Sequence, residues 1–250
     1  MKSMRRRRWR RIGLISAGTL VAAGIALYLA LPVLVVPGII NAPNLHWRMD
    51  PAADPDAAAL RRLEVTAHHR VSVGSPPVSL SVFVVDPPAE TPLRGTILLF
   101  HGIRAGKEQV LGLARPLAGR GYRCVLPDLR GHGRSTGRYL TYGVADSQDA
   151  QGLLDWLAES GQLAPPVGVA GFSYGGAVAL RLAAREPRIA AVAVVSTFSS
   201  LRDIARDFAA RDIPLVGSLI TQSQLDRSLR RAGRTAGFDP DLADNVRAAQ

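Results

Sequence analysis

The 250-residue chain has a single cysteine, Cys124, so an internal disulfide is excluded and cysteine usage does not fix a redox compartment. The run Tyr122-Arg123-Cys124-Val125-Leu126 reads as a strand, which makes Cys124 a buried core thiol rather than a reactive one. Histidine is scarce as well, and no His/Cys cluster has metal-ligand spacing, so neither a metal nor an organic cofactor is expected. Aromatic residues are 6% of the chain and are not interleaved with a basic stripe. That argues against a nucleic-acid partner despite a net charge of +11. Acidic residues are few, 20 against 31 basic, but the imbalance is local. Seven cations (Lys2, Arg5, Arg6, Arg7, Arg8, Arg10 and Arg11) precede Ile12, and the 24 that remain nearly balance the 20 acids. A basic run beside an apolar one is a membrane-topology signal.

Charge is absent altogether from Ile12 to Ile40. Ile12 to Leu31 suffices to span a hydrocarbon core, which needs ~20 apolar residues in a helix. Pro32 is expected to end the regular helix near the far interface, with Tyr28 at headgroup level. The positive-inside rule keeps the N-terminal cluster cytoplasmic and puts the rest outside the cytoplasm, as a single-pass cell-membrane protein touching lipid through residues 12–36. A cleaved signal peptide is the rival reading. Its apolar core would be unusually long, and cleavage after Ala30 would leave Tyr28 three residues from the cut, so an uncleaved anchor is favoured. Residues 41–59, rich in Pro, Ala and Asp, read as a linker.

From Leu60 to Gln250 the pattern is that of one domain. Arg62–His68 and Val78–Asp86 read as strands parted by Gly74-Ser75-Pro76-Pro77. Thr96–Phe100, Tyr122–Leu126, Val167–Gly171 and Ile189–Val195 are apolar runs of the kind buried on both faces. Helical spacing separates them: Val110, Leu113, Ala114 and Leu117, then Ala150, Leu153, Leu154 and Leu157, then Ala177–Ala184. Pro116 inside the first of these predicts a kink or a late helix start. Strands alternating with helices imply an α/β fold with a mainly parallel sheet. Residues 199–250 show helical pieces and no strand; they read as a cap or lid, with Ile213-Pro214-Leu215-Val216 as an apolar face.

Three segments carry chemistry. Val167 to Gly176 is a strand, a turn Gly171-Phe172-Ser173-Tyr174-Gly175 and a helix start. A serine there sits at the tip of a tight elbow, and the helix N-terminus behind it favours an alkoxide and an oxyanion. Phe100-His101-Gly102-Ile103-Arg104 closes a buried strand, where a backbone N–H of Gly102 or Ile103, together with that of Tyr174, would form an oxyanion hole. His101 is expected to be structural. In Pro127-Asp128-Leu129-Arg130-Gly131-His132-Gly133-Arg134-Ser135 the glycines shape turns, Asp128 and Arg130 are expected to pair, and neither Asp128 nor His132 is expected to be catalytic.

His101-Gly102, then Asp128-x-Arg130-Gly131-His132-Gly133-x-Ser135, then Gly171-x-Ser173-x-Gly175-Gly176 resemble the α/β-hydrolase superfamily. The likeness is greatest to membrane-anchored bacterial members related to the serine aminopeptidase-like and dienelactone hydrolase-like groups; Tyr142-Gly143 and Leu154-Asp155-Trp156-Leu157 add to it. The match runs from about Leu60 to Phe198. The resemblance implies a Ser173 nucleophile acting on an ester, thioester or amide, followed by an acid and then a histidine. The five histidines (His46, His68, His69, His101 and His132) all precede Ser173. Asp203, Asp207, Asp239, Asp241 and Asp244 read as surface acids or helix caps. The chain stops where a further strand is expected, so a shortened reading of a longer enzyme is favoured over a degenerate hydrolase that binds without catalysing. The two functional expectations are therefore a membrane-anchored serine hydrolase and a membrane-tethered binding or scaffold protein.

Overall fold

The computed structural model of the chain describes residues 19–20, 22–41, 54–212 and 220–250. An apolar helix α1 (Ala22–Ile40), with mean hydropathy 2.3 and most of its surface exposed, comes first. It bends at Val35 and continues through Pro37, which sits in the first turn of its last segment. The helix thus runs past Pro32, where the sequence suggested a stop. A single proline removes one i to i−4 bond, and the chain keeps its helical bonding beyond it, with Val35 N–H to Leu31 O at 3.1 Å. The end of α1 is tied to the body: Ile40 is buried, Leu140 N–H donates to Ile40 O (2.8 Å) and Tyr142 Oη donates to Ile39 O (2.5 Å).

Part of the expected linker lies outside the described residues; its end is helix α2 (Ala57–Arg62), capped by Asp56, which accepts from Ala59 N–H. Strand β1 (Ala67–Val73) consequently begins five residues later than the apolar pattern indicated, because Arg62 belongs to the helix that Asp56 starts. Then follow β2 (Val78–Val85), β3 (Gly95–Phe100), a 3-10 turn (Lys107–Val110), α3 (Leu111–Ala118), β4 (Tyr122–Pro127), α4 (Val144–Glu159), β5 (Val167–Phe172), α5 (Tyr174–Ala183) and β6 (Ile189–Val195). The α-helix that holds Pro116 starts late, at Leu111 behind the 3-10 turn. Strand order is β1-β2-β4-β3-β5-β6, antiparallel as far as β4 and parallel from β4 to β6.

Alternate side chains feed two cores, one on each face of the sheet. Val82, Leu98, Phe100 and Val125 pack with α4 and α5; Phe83, Leu99, Cys124 and Leu126 pack with α3. Burial pushes the Cys124 thiol up to about 12, so it is an inert core group, as expected. The sequence suggested that β6 is buried on both faces. It is instead an edge strand that pairs only with β5, and Val192, Val194 and Val195 are exposed. Among the described residues nothing covers its outer edge.

The remainder is helical, as the pattern indicated: α6 (Leu201–Asp212), α7 (Gln222–Ala236), a 3-10 turn (Pro240–Leu242) and α8 (Asn245–Ala248). Ile213-Pro214-Leu215-Val216, the expected apolar lid face, lies outside the described residues. Asp239 and Asp244 cap the two last elements, whereas Asp203 lies in the first turn of α6, where its carboxylate accepts from the Ser199 and Ser200 hydroxyls and Ser200 Oγ accepts from Asp203 N–H.

Candidate active site

The parallel strands β3 and β5 deliver their C-terminal ends side by side, with Phe100 opposite Gly171. The chain leaves β5 through Ser173 at φ 49° and ψ −110° and enters α5 at once, with Ser173 as its N-cap residue. A non-glycine residue at positive φ stores ~1–3 kcal/mol of strain. The surrounding backbone holds it: Ser173 N–H donates to Val195 O (2.9 Å), and Ser173 O accepts from Gly176 N–H (3.1 Å) and from Thr197 Oγ1 (2.9 Å). Arg104, Tyr142 and Ser196, in the loops after β3, before α4 and after β6, also have positive φ.

The glycines of the turn are required by close approach. A Cβ on Gly171 would stand 2.2 Å from Gly175 O, and one on Gly175 would stand 2.4 Å from Phe100 O and 2.5 Å from His101 O. Backbone atoms cannot yield as a side-chain tip can, so the β3 loop and the elbow meet only if both positions lack a side chain. A Cβ on Gly102 would lie 3.7 Å from Phe172 O, so Gly102 too is at the elbow.

Two donors, one in each loop, were expected to face an oxyanion. Tyr174 N–H, at the first position of α5, has no hydrogen-bond partner among the described residues. Of the two groups expected from the β3 loop, Gly102 N–H is already taken by Gln109 Oε1 at 2.7 Å, whereas Ile103 N–H is free among the described residues. Of these three N–H groups, the two without a partner among the described residues are thus those of Ile103 and Tyr174, and that of Gly102 is engaged. The Ser173 hydroxyl is partly exposed and bonds to no described residue.

The Tyr174 side chain fixes the elbow from behind. Its Oη accepts from Thr141 N–H (3.1 Å) and Tyr142 N–H (3.0 Å) and donates to Asp146 Oδ2 (3.0 Å), which also accepts from Thr141 Oγ1 (2.5 Å). Burial and the Asp146 charge raise the Tyr174 phenol, so the Oη keeps its proton for that bond. The sequence singled out Tyr142-Gly143 without this network; an aspartate three residues after Gly143, in the first turn of α4, was the signal for it.

His101 is fully buried with both ring nitrogens engaged. Nε2 accepts from Leu129 N–H (3.0 Å), which assigns the proton to Nδ1 for donation to Gly102 O (2.8 Å). Burial, then the neighbouring His132, push its pKa down to about 4. His101 is thus a neutral brace between the β3 and β4 loops, as expected. His132 is buried against the rings of His101 (5.1 Å) and Tyr174 (5.5 Å), and its Nδ1 meets Arg130 O at 3.0 Å.

Asp128 and Arg130 do not pair with each other. Asp128 accepts from Lys107 Nζ (2.5 Å), Lys107 N–H (2.8 Å) and Arg134 N–H (2.9 Å), and Arg130 forms a two-pronged bridge to Asp149 at 2.6 and 2.8 Å. Two residues apart, their side chains diverge to different faces of the loop, and each finds a partner from another element. Burial would raise the Asp128 carboxyl, but Lys107 and the other donors outweigh it and hold the pKa below the usual range. For Asp149 burial prevails over Arg130 and pushes the carboxyl up to about 6. Among the described residues no group of His, Cys, Asp and Glu is placed to hold a metal.

Solved structures share the fold. The chain aligns with an esterase from Pyrococcus furiosus at 22% identity and a TM-score of 0.51, covering 71% of this chain and 70% of that one. It aligns with a hypothetical protein from Pseudomonas aeruginosa at 21% identity and a TM-score of 0.52, covering 70% of this chain and 56% of that one. Against the Pyrococcus esterase in another crystal form, at 20% identity and a TM-score of 0.49, it covers 75% of this chain and 66% of that one. The chain thus spans from little over half to about two thirds of the length of these proteins, and the two alignments with TM-scores above 0.5 show a shared α/β-hydrolase fold. A family model described as X-Pro dipeptidyl-peptidase (S15 family) matches residues 41–237. The chain belongs to the S15 family of α/β-hydrolase-type proteins.

Proposed function

We propose that the protein is a membrane-anchored serine hydrolase in which Ser173 attacks the carbonyl of an ester, thioester or amide. The observation that carries this reading is the strained Ser173 backbone at the start of α5, enforced by the backbone contacts at Gly171 and Gly175. In the first step the Ser173 Oγ–carbonyl bond forms, the hydroxyl proton passes to a base, and the oxyanion sits between the N–H groups of Tyr174 and Ile103. Collapse expels the leaving group with a proton, and water then releases the acyl group from Ser173. Each oxyanion donor of this kind contributes ~3 kcal/mol in the transition state.

The family description names X-Pro dipeptides, which puts Xaa-Pro dipeptidyl amides among the substrates to test. An apolar cavity of about 280 Å³ lies behind the elbow, and none of Ser173, Tyr174 and Ile103 lines it. It is lined by Leu34, Ile39, Tyr142, Phe208, Ile220 and Leu225, and its Tyr142 wall lies against the Tyr174 ring at 5.8 Å. Helix α1 carries the anchor reading, since it is long and apolar enough to cross a bilayer.

A second reading, a binding protein built on the same fold, is favoured by one observation: no general base among the described residues contacts the Ser173 hydroxyl. A fluorophosphonate probe separates the two. Labelling of the full chain that is lost in Ser173→Ala, with turnover in a panel of p-nitrophenyl esters, thioesters and Xaa-Pro anilides, is the expected result. Equal labelling of both proteins, or none of either, rejects the hydrolase.

A further inference from the structure

Helix α7 is amphipathic in an unusual sense. Leu225, Ser228, Leu229 and Ala232 are buried against the body, while Arg227, Arg230, Arg231 and Arg234 are exposed. The arginine spacing of three, four and seven places all four guanidinium groups on one stripe of the helix. That stripe does not face open solvent alone. It forms one wall of a cleft of about 540 Å³ whose other wall is Tyr28, Leu29, Pro32 and Val33 of α1. A hydrogen bond from Gln224 Nε2 to Tyr28 O (3.1 Å) holds the two helices together at this level.

None of the four arginines has an acidic partner among the described residues, and Asp226, the one acid on α7, is engaged by Arg202. Four unpaired guanidinium groups beside an apolar wall are an unusual arrangement for a surface that meets only water. Guanidinium forks match phosphate oxygens in pairs, and they gather where a phosphodiester is bound. The opposite wall suits acyl chains, since Leu29 and Val33 are exposed. The span expected from the sequence, Ile12–Leu31, ends just beyond Tyr28, which puts the stripe near its outer end, where lipid phosphates lie.

We propose that the cleft between α1 and α7 binds the headgroup of an anionic phospholipid, its phosphate held by Arg227, Arg230, Arg231 and Arg234 and its acyl chains starting against Leu29. The site orients the hydrolase body on the bilayer and fixes the apolar cavity at Leu34 and Ile39 next to the lipid. This rests on the reading of α1 as a bilayer anchor.

The test uses the full chain in detergent, titrated separately with phosphatidylglycerol and phosphatidylcholine and followed by native mass spectrometry. The expected result is a preference for phosphatidylglycerol that falls by at least about tenfold in the Arg227→Gln/Arg230→Gln/Arg231→Gln/Arg234→Gln variant, with phosphatidylcholine binding and the circular dichroism spectrum unchanged. A four-lysine variant of the same positions keeps the charge, loses the paired hydrogen bonds, and should retain an intermediate preference. Absence of any headgroup preference in the wild-type chain, or its survival in the glutamine variant, overturns the proposal. Binding of inorganic phosphate as tightly as phosphatidylglycerol overturns it too, since the apolar wall would then contribute nothing. Alkaline carbonate extraction of membranes tests the anchor separately. A chain that resists extraction yet shows no preference refutes the headgroup site and leaves the anchor standing; an extracted chain that keeps the preference refutes the anchor and leaves the site.

Discussion

Ser173 holds its backbone angles because four neighbours bond its N–H and C=O, and because Gly171 and Gly175 admit the β3 loop at backbone contact distance. His101 braces that same loop from its far side. Its folded pKa, about 4, is below the 6.5 of an unfolded histidine, so the unfolded chain takes up a proton that the folded one refuses. Stability is complete above pH 6.5 and is lost as pH falls from there to 4. A shift of this size corresponds to a loss on the order of 3 kcal/mol at the acid end. His132, Asp128 and Lys107 are the charged or titrating groups around the ring, and His68, also lowered to about 4 mainly by burial, adds to the slope in the same window. Urea unfolding at stepped pH should show this loss, and His101→Asn should flatten it while lowering stability at pH 7. An identical pH slope in the variant would remove His101 as its source.

At the level of elements, the loop between β4 and α4 is held to the turn before α3 by one buried ion pair. The Lys107 and Asp128 side chains are both wholly inaccessible, and the Lys107 ammonium lies 4.4 Å above the Phe83 ring. Removing one partner of such a pair leaves an uncompensated charge in the core, which costs about 3–5 kcal/mol. Lys107→Met should therefore lose that much in chemical denaturation, and Lys107→Met/Asp128→Asn should lose less than the single variant. A cost below about 1 kcal/mol for Lys107→Met would refute it.

The sequence did not announce this pair, because Lys107 stands in a polar stretch with no apolar period around it. The contrast with Ser173 is instructive. Its glycines are written in the chain, and the runs before and after it specify a strand and a helix, so the elbow was legible from residues alone. The strand β5 was legible to within one residue, whereas α5 starts at Tyr174, three residues before the apolar spacing from Ala177 indicated, because the small residues of the elbow carry no period. What pairs with Asp128, which loop N–H Gln109 occupies, and where Asp56 starts a helix all depend on contacts between segments distant in sequence or on a single cap. The arginines of α7 were visible only as scattered charge, because their common face appears once Gln222–Ala236 is seen to be a helix.

At the scale of the whole molecule, the described residues present two apolar surfaces. On α1, Ile25, Leu27, Leu29, Val33 and Leu34 are exposed over a span of bilayer length. On β6, Val192, Val194 and Val195 are exposed along a strand whose outer edge has no partner among the described residues. The apolar run Ile189–Val195 reads the same whether a strand is interior or at an edge, and so the sequence misplaced it. The two surfaces have different consequences. A bilayer or a detergent micelle satisfies α1, but cannot satisfy the free N–H and C=O groups along β6, which remain a template for another strand. Detergent-solubilised protein should therefore associate further through β6 as concentration rises. Val192→Lys places a charge on that edge, where charged residues block pairing, and changes fold stability by no more than about 0.5 kcal/mol because Val192 is already exposed. Light scattering across a concentration series should show association of the wild-type chain and its suppression in Val192→Lys, whereas Leu29→Lys on α1 should leave it in place. Equal association of the wild-type chain and Val192→Lys would move its origin from β6 to another surface.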